Sequence, residues 1–225
     1  ENAGRISGIL ANATDGVEQS ALTFDTRGIT YGSDVGTFAT TSQAQLPATR
    51  YGHSTVTAAV GGTQYVYVTG GGTVSTVYKA TIDSSGNVGT FATTSQGQLL
   101  QNLVYHSTVT AAVGGTQYVY VNGGYNGTST VSTVYKAAID SSGNVGTFAT
   151  TSQGQLPQVL YTLNTITASI GGTQYVYSLG GYNGSAIVST VYKATIDTSG
   201  NIGTFSTTSQ SQLPQILQKM GTVTA

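Results

Sequence analysis

Two histidines are the residues whose type and spacing first suggest chemistry. His53 and His106 stand 53 residues apart in matching contexts, Tyr-Gly-His-Ser-Thr-Val-Thr and Val-Tyr-His-Ser-Thr-Val-Thr. Either could act as a general base if a nucleophile and a carboxylate lay within hydrogen-bond reach. The next two occurrences of the context carry Leu163 and Met220 at that position. A slot that accepts Leu and Met is a packing slot, and a structural histidine at the start of a strand is the expected role. The carboxylates point the same way. Asp83, Asp140 and Asp197 each open a run Asp-Ser/Thr-Ser-Gly-Asn. Asp, Ser and Asn at alternate positions are donor types of a calcium loop, yet one carboxylate per loop is too few. The same residues stabilise a turn by bonding their own backbone, and a turn is expected. Lys79, Lys136 and Lys193 precede those aspartates by four residues. On a strand, i and i+4 share a face, so each pair is expected to form a surface ion pair worth about 1 kcal/mol or less.

The rest of the inventory narrows the function further. With no cysteine, the chain has no thiolate nucleophile, disulfide or Cys-based metal site. Arg5, Arg27 and Arg50 fall in unrelated contexts and make no cluster for an acidic substrate. No nucleophile–base–carboxylate set is visible, so the chain is expected not to be an enzyme and to use no cofactor or metal. Charged residues make up 7% of the 225, with a formal net charge of −1. That leaves no basic footprint for nucleic acid and no polybasic patch for anionic lipid. No run reaches the roughly 20 apolar residues of a membrane helix, so no membrane span is expected. Solubility falls to Thr, Ser, Gln, Asn and Gly, a surface suited to an extracellular or cell-surface location.

The elements that must position these residues are set by a repeat. Gly-Gly-Thr-Gln-Tyr-Val-Tyr begins at Gly61, Gly114 and Gly171, and Val/Ile-Gly-Thr-Phe ends at Phe38, Phe91, Phe148 and Phe205. A period of 53 to 57 residues made of short strands indicates an all-β repeat with four strands per unit. One unit reads as a strand over 55–60, a Gly61-Gly62 hairpin turn, a strand over 65–68, a double glycine Gly70-Gly71, a strand over 75–82, the Asp83 turn, and a strand over 88–94. The units span about 1–46, 47–99, 100–156 and 157–213, the first being divergent with candidate strands 5–10 and 21–26. Residues 221–225 repeat the first-strand sequence Thr-Val-Thr-Ala. That leftover strand closes a four-unit ring, or begins a further unit of a larger protein, or is donated to a neighbouring subunit.

Leu46-Pro47-Ala48-Thr49-Arg50-Tyr51-Gly52-His53-Ser54, then Tyr65-Val66-Tyr67-Val68 with Gly70-Gly71, and Tyr78 and Phe91 beyond, together resemble the kelch repeat. The likeness covers about residues 30–225, with Phe throughout where the family has Trp. It implies a kelch-like β-propeller of about four four-stranded blades, of the galactose oxidase/kelch superfamily type. Oxidases of that superfamily use a Cys–Tyr crosslink and copper, which a chain without cysteine cannot build.

Successive antiparallel strands send their connections to alternate ends, so the loops after second strands share an end with the unit-linking loops. Those loops vary. Gly72-Thr73 becomes 125–130 and 182–187 in the next copies, while the opposite hairpins are nearly identical. Variable loops on a rigid scaffold are where binding resides. The candidate binding residues on this end are Arg50, Tyr51, His53, Tyr105, His106, Tyr125, Asn126, Tyr161, Tyr182 and Asn183. Asn12, Asn126 and Asn183 also head glycosylation sequons. The expected function is a non-catalytic structural or adhesive scaffold that binds protein at the cell surface. The alternative is a lectin that binds glycan by tyrosine stacking and asparagine amides.

Overall fold

Three four-stranded antiparallel sheets, each drawn from one copy of the repeat, make up the described part of the protein. The computed structural model describes residues 45–93, 97–150 and 154–216. All of them belong to one compact unit, Thr40–Ala225. The first sheet is β1 (Ser54–Val60), β2 (Thr63–Thr69), β3 (Val77–Ile82) and β4 (Ala92–Thr93). The second is β5 (Ser107–Val113), β6 (Thr116–Asn122), β7 (Val134–Ile139) and β8 (Ala149–Thr150). The third is β9 (Asn164–Ile170), β10 (Thr173–Leu179), β11 (Thr190–Ile196) and β12 (Ser206–Gln212). In each sheet the strands are hydrogen-bonded in chain order, and no helix occurs among the described residues. The all-β expectation holds. The strands expected at 5–10, 21–26 and 221–225, and Asn12, lie outside the described residues.

The local sequence explains each meander. Gly61 and Gly62 take φ of 56° and 81°, which lets β1 turn straight into β2 with Val60 opposite Thr63. Both positive angles match the right-handed twist of a two-residue hairpin. The fourth strand is shorter than expected. In the first two sheets only two residues pair as β4 and β8, preceded by single bridges Ile82↔Val88 and Ile139↔Val145. Gly89 and Gly146 interrupt the ladder there, and their N–H groups bond back to Thr81 O and Ala138 O at 2.9 and 2.8 Å.

The sheets stack face to face. One core lies between the first and second sheets and is built on Tyr67, Leu103, Val119 and Phe148. The other lies between the second and third and is built on Tyr120, Leu160, Val176 and Phe205. Strands with apolar residues on both faces suit this sandwiching, since the second sheet meets the first on one face and the third on the other. The first strands of successive sheets lie side by side. Thr108 N donates to Ser54 Oγ at 3.0 Å and Thr165 N to Ser107 Oγ at 2.9 Å. Thr110 Oγ1 donates to Thr57 O at 3.0 Å and Thr167 Oγ1 to Thr110 O at 2.9 Å.

The aspartate runs form the expected turn. Asp140 Oδ1 accepts from the backbone N–H of Ser142 and Asn144 at 2.9 and 2.8 Å, and Oδ2 accepts from Asn144 Nδ2 at 3.0 Å. Asp83 and Asp197 repeat the pattern. The lysines do not pair along their own strand as expected. Lys79 reaches the next sheet's turn, donating to Ser142 O at 3.0 Å and Asn144 Oδ1 at 2.7 Å. Lys136 does the same to Ser199 O and Asn201 Oδ1, at 3.1 and 2.7 Å. The turn already satisfies its own carboxylate, while the neighbouring turn presents a serine carbonyl and an asparagine side-chain oxygen to the ammonium.

Candidate functional site

At the end of the sheets where the unit-linking segments run, five tyrosines converge. The scaffold beneath them is a backbone ladder. Tyr105 N donates to Gly52 O at 2.7 Å, and Thr162 N donates to Tyr105 O at 2.8 Å, tying the three linking segments in series. The loops after the second strands lock onto these segments. Val104 and Tyr125 exchange both backbone bonds at 2.9 Å, and Tyr161 and Tyr182 exchange theirs at 3.0 and 2.9 Å.

Gly52, Tyr105 and Thr162 occupy one repeat position and share left-handed backbone, with φ of 62°, 57° and 54°. Only the first is glycine. A β-branched threonine and a tyrosine held in that region cost of order 1 kcal/mol or more each, and such strain persists only where the surroundings enforce it. Here the enforcing contact is the ladder, in which Tyr105 donates to Gly52 and accepts from Thr162.

The rings form a chain. Tyr51 lies 6.4 Å from Tyr105, Tyr105 lies 6.1 Å from Tyr161, and Tyr161 lies 6.4 Å from Tyr125 and 5.2 Å from Tyr182, all tilted. These are the separations of favourable edge-to-face and offset pairs. Tyr105, Tyr125, Thr130, Tyr161, Tyr182 and Gly184 line an open depression of about 350 Å³. Tyr51 stands at its margin, 60% exposed.

The remaining candidates serve the scaffold. Asn126 Oδ1 accepts from Thr128 N and Ser129 N at 3.0 and 2.8 Å, and its Nδ2 donates to Gln101 Oε1 at 3.2 Å. Asn183 repeats this with Ser185, Ala186 and Gln158. Each sequon amide therefore closes its own loop through Oδ1 and ties it to the linking segment through Nδ2. Arg50 sits where Leu103 and Leu160 stand in the other copies. Its guanidinium lies 4.5 Å over the Tyr78 ring and donates to Gly70 O at 2.7 Å. His106 is buried, with Nε2 2.8 Å from Thr69 Oγ1. Burial strips its hydration and holds its pKa down to about 4, so the ring is neutral at physiological pH. His53 is half-buried and also lowered, by burial first and then by the Arg50 charge. The structure thus brings Tyr51, Tyr105, Tyr125, Tyr161 and Tyr182 together and turns Arg50 and His106 into the fold.

Thr130 and Gly184, which line the depression, carry no signal of their own in the sequence. A larger open cavity of about 880 Å³ lies at the opposite end, lined by Val60, Ala112, Gly115, Ile139 and Asn144 among others. Its one carboxylate, Asp140, is consumed by its turn. Among the described residues no three His, Asp or Glu side chains converge as a metal site. No helix there is long and apolar enough to cross a membrane. No protein-family model matches the chain. No curated protein matches its sequence.

Proposed function

We propose that the chain is a kelch-like β-propeller module acting outside the cell as a non-catalytic protein-binding scaffold, with the tyrosine depression as its recognition surface. The observation that carries this is the chain of five tyrosine rings over a depression of about 350 Å³. Tyrosine supplies large, stiff, amphipathic contact area at low entropic cost, which is why it is enriched at protein interfaces and their hot spots. Four-stranded meanders stacked face to face, with their first strands bonded in series, support the propeller reading. A surface with so few charges supports the extracellular placement.

Tyrosine faces would also stack on sugar rings. A lectin additionally needs polar groups to bond hydroxyls, and the Asn126 and Asn183 amides are occupied by their own loops' backbone and by Gln101 and Gln158 of the linking segments. Protein is therefore the favoured ligand over glycan. The test is selection of peptides from a displayed library against the purified chain, run beside a glycan array. Peptide binding that weakens about tenfold or more in Tyr161→Ala is expected. Glycan binding lost in the same variant would move the function to a lectin. Peptides that bind wild type and Tyr161→Ala equally would remove the depression from the account.

A further inference from the structure

The three sheets have nearly the same sequence but different surroundings, and the difference marks two unfinished faces. At each inner junction a tyrosine and a lysine of one sheet close on the aspartate turn of the next. Tyr67 OH donates to Gly143 O and Tyr120 OH to Gly200 O, both at 2.8 Å. Lys79 and Lys136 add the bonds to the serine carbonyl and asparagine side chain described above. A second tyrosine lies flat on the turn glycine. A Cβ at Gly143 would fall 2.5 Å from the Tyr65 ring, and one at Gly200 would fall 2.6 Å from the Tyr118 ring.

The third sheet carries the same donors with nothing among the described residues to receive them. Tyr177 and Lys193 are the matching residues. Tyr177 is half-buried where Tyr67 and Tyr120 are fully buried. Lys193 rests 5.3 Å over the Tyr175 ring, in the pose Lys79 and Lys136 adopt at 5.1 Å over Tyr65 and Tyr118. Beside them Ile170 is 58% exposed, whereas its counterpart Val113 is buried. The first sheet carries the same acceptors with nothing among the described residues to supply them. A Cβ at Gly86 would meet nothing within 4 Å. Ile82, Val88 and Phe91 on that face are half-buried, whereas Ile139, Val145 and Phe148, and Ile196, Ile202 and Phe205, are buried.

We propose that the open face of the third sheet binds the open face of the first sheet of a second copy of this chain, head to tail. Lys193 of one copy meets the Ser85 carbonyl and Asn87 Oδ1 of the other, Tyr177 OH meets the Gly86 carbonyl, and Tyr175 covers that glycine. The acceptor turn carries the Asp83 carboxylate and the donor face the Lys193 ammonium, so the charges are complementary. The chain's own divergent N-terminal repeat is the weaker occupant by sequence. Counted by the 53-residue spacing of Phe38 and Phe91, it has Thr26 where Lys79 stands. It has Thr30-Tyr31-Gly32-Ser33-Asp34 where the turn Asp83-Ser84-Ser85-Gly86-Asn87 stands. It lacks the lysine donor and carries its glycine, Gly32, one position before the place of Gly86, whereas a second copy matches both features. A head-to-tail contact of this kind generates a closed ring or an open chain of copies.

The inference rests on the sheet junctions and does not involve the tyrosine depression, so the two can fail separately. The test is sedimentation equilibrium of the full chain across the micromolar range. The average mass is expected to rise above that of a monomer with concentration. Gly86→Asn fills the space over the first turn with a residue that tolerates left-handed backbone, and Tyr177→Phe with Lys193→Glu removes the donors. Each variant is expected to weaken association about tenfold or more. Both are expected to keep the wild-type circular dichroism spectrum, because none of the three positions bonds to another described sheet. A mixture of the two, which pairs one intact donor face with one intact acceptor face, is expected to form a one-to-one complex. Monomer mass throughout, association unchanged in either variant, or a mixture that stays monomeric would each overturn the proposal.

Discussion

The junction between the first and second sheets and the junction between the second and third share one frame and differ in the polar layer beside it. The frame is the tyrosine and lysine closing on the aspartate turn, with nearly the same distances in both. In the first junction the threonine hydroxyls of the neighbouring layer are bonded, and His106 Nδ1 is its one ring atom buried without a protein hydrogen-bond partner. Thr69 Oγ1 lies 2.8 Å from both His106 Nε2 and Thr108 Oγ1. In the second junction Asn122, Leu163 and Thr165 occupy the equivalent positions. There Asn122 Oδ1 and Nδ2, Thr165 Oγ1 and the nearby Ser178 Oγ are buried without a protein hydrogen-bond partner. The lesson is that the frame, which fixes how sheets stack, tolerates little change, while the layer beside it drifts. The drift has consequences for stability and its pH dependence.

The largest of these is acid sensitivity placed in one junction. His106 is neutral in the fold with its pKa down to about 4, whereas in the unfolded chain it takes up a proton below its ordinary value of 6.5. Its contribution is complete above pH 6.5, falls as the pH drops toward 4, and is spent below that. The total lost is about 3 kcal/mol. The three turn aspartates lie outside this window. Bonds from Asn87, Asn144 and Asn201 hold their pKa values below the ordinary 3.8, so their contribution fades only at lower pH. His106→Leu copies the second junction, which has Leu163. Urea unfolding of that variant is expected to lose most of the slope between pH 6.5 and 4, leaving the smaller share of half-buried His53. An unchanged slope would place the acid sensitivity elsewhere.

A smaller effect runs in the other direction. Asn122→Thr copies the first junction, placing a hydroxyl opposite Thr165 as Thr69 stands opposite Thr108. It restores one buried hydrogen bond and removes an amide without a protein partner, so unfolding free energy is expected to rise by about 1 kcal/mol. A fall of similar size would show that the two junctions are not interchangeable in this layer.

Much of this fold was legible in the sequence because its signals are local. Gly-Gly between β-branched runs marks each hairpin, and Asp-Ser-Ser-Gly-Asn marks each turn, since both act through their own backbone. The site was legible only as a set of variable loops. Tyr51 and Tyr161 share a repeat position, but Tyr105 falls one residue later, at the left-handed position, and Tyr125 and Tyr182 come from other loops. Their convergence depends on the ladder between linking segments, a contact between units that periodicity within a unit does not encode. The lysines mislead for the same reason. Spacing of i and i+4 suggested a partner on their own strand, while the geometry of stacking supplied a better one on the next sheet. The asparagines read equally as sequons and as sugar ligands until their loops show both ends of each amide in use.

The central claim is that one repeated turn carries packing energy where a described sheet covers it and little where none of the described sheets does. The most direct measurement makes the same substitution in two such turns and compares unfolding free energies under dilute, monomeric conditions. Gly143→Asn drives a side chain into the Tyr65 ring, whereas Gly86→Asn points into open space with the same left-handed backbone, φ 73° against 80°. Gly143→Asn is expected to cost about 2 kcal/mol more than Gly86→Asn, the scale of overpacking in a filled core. Equal losses at the two positions would contradict the account.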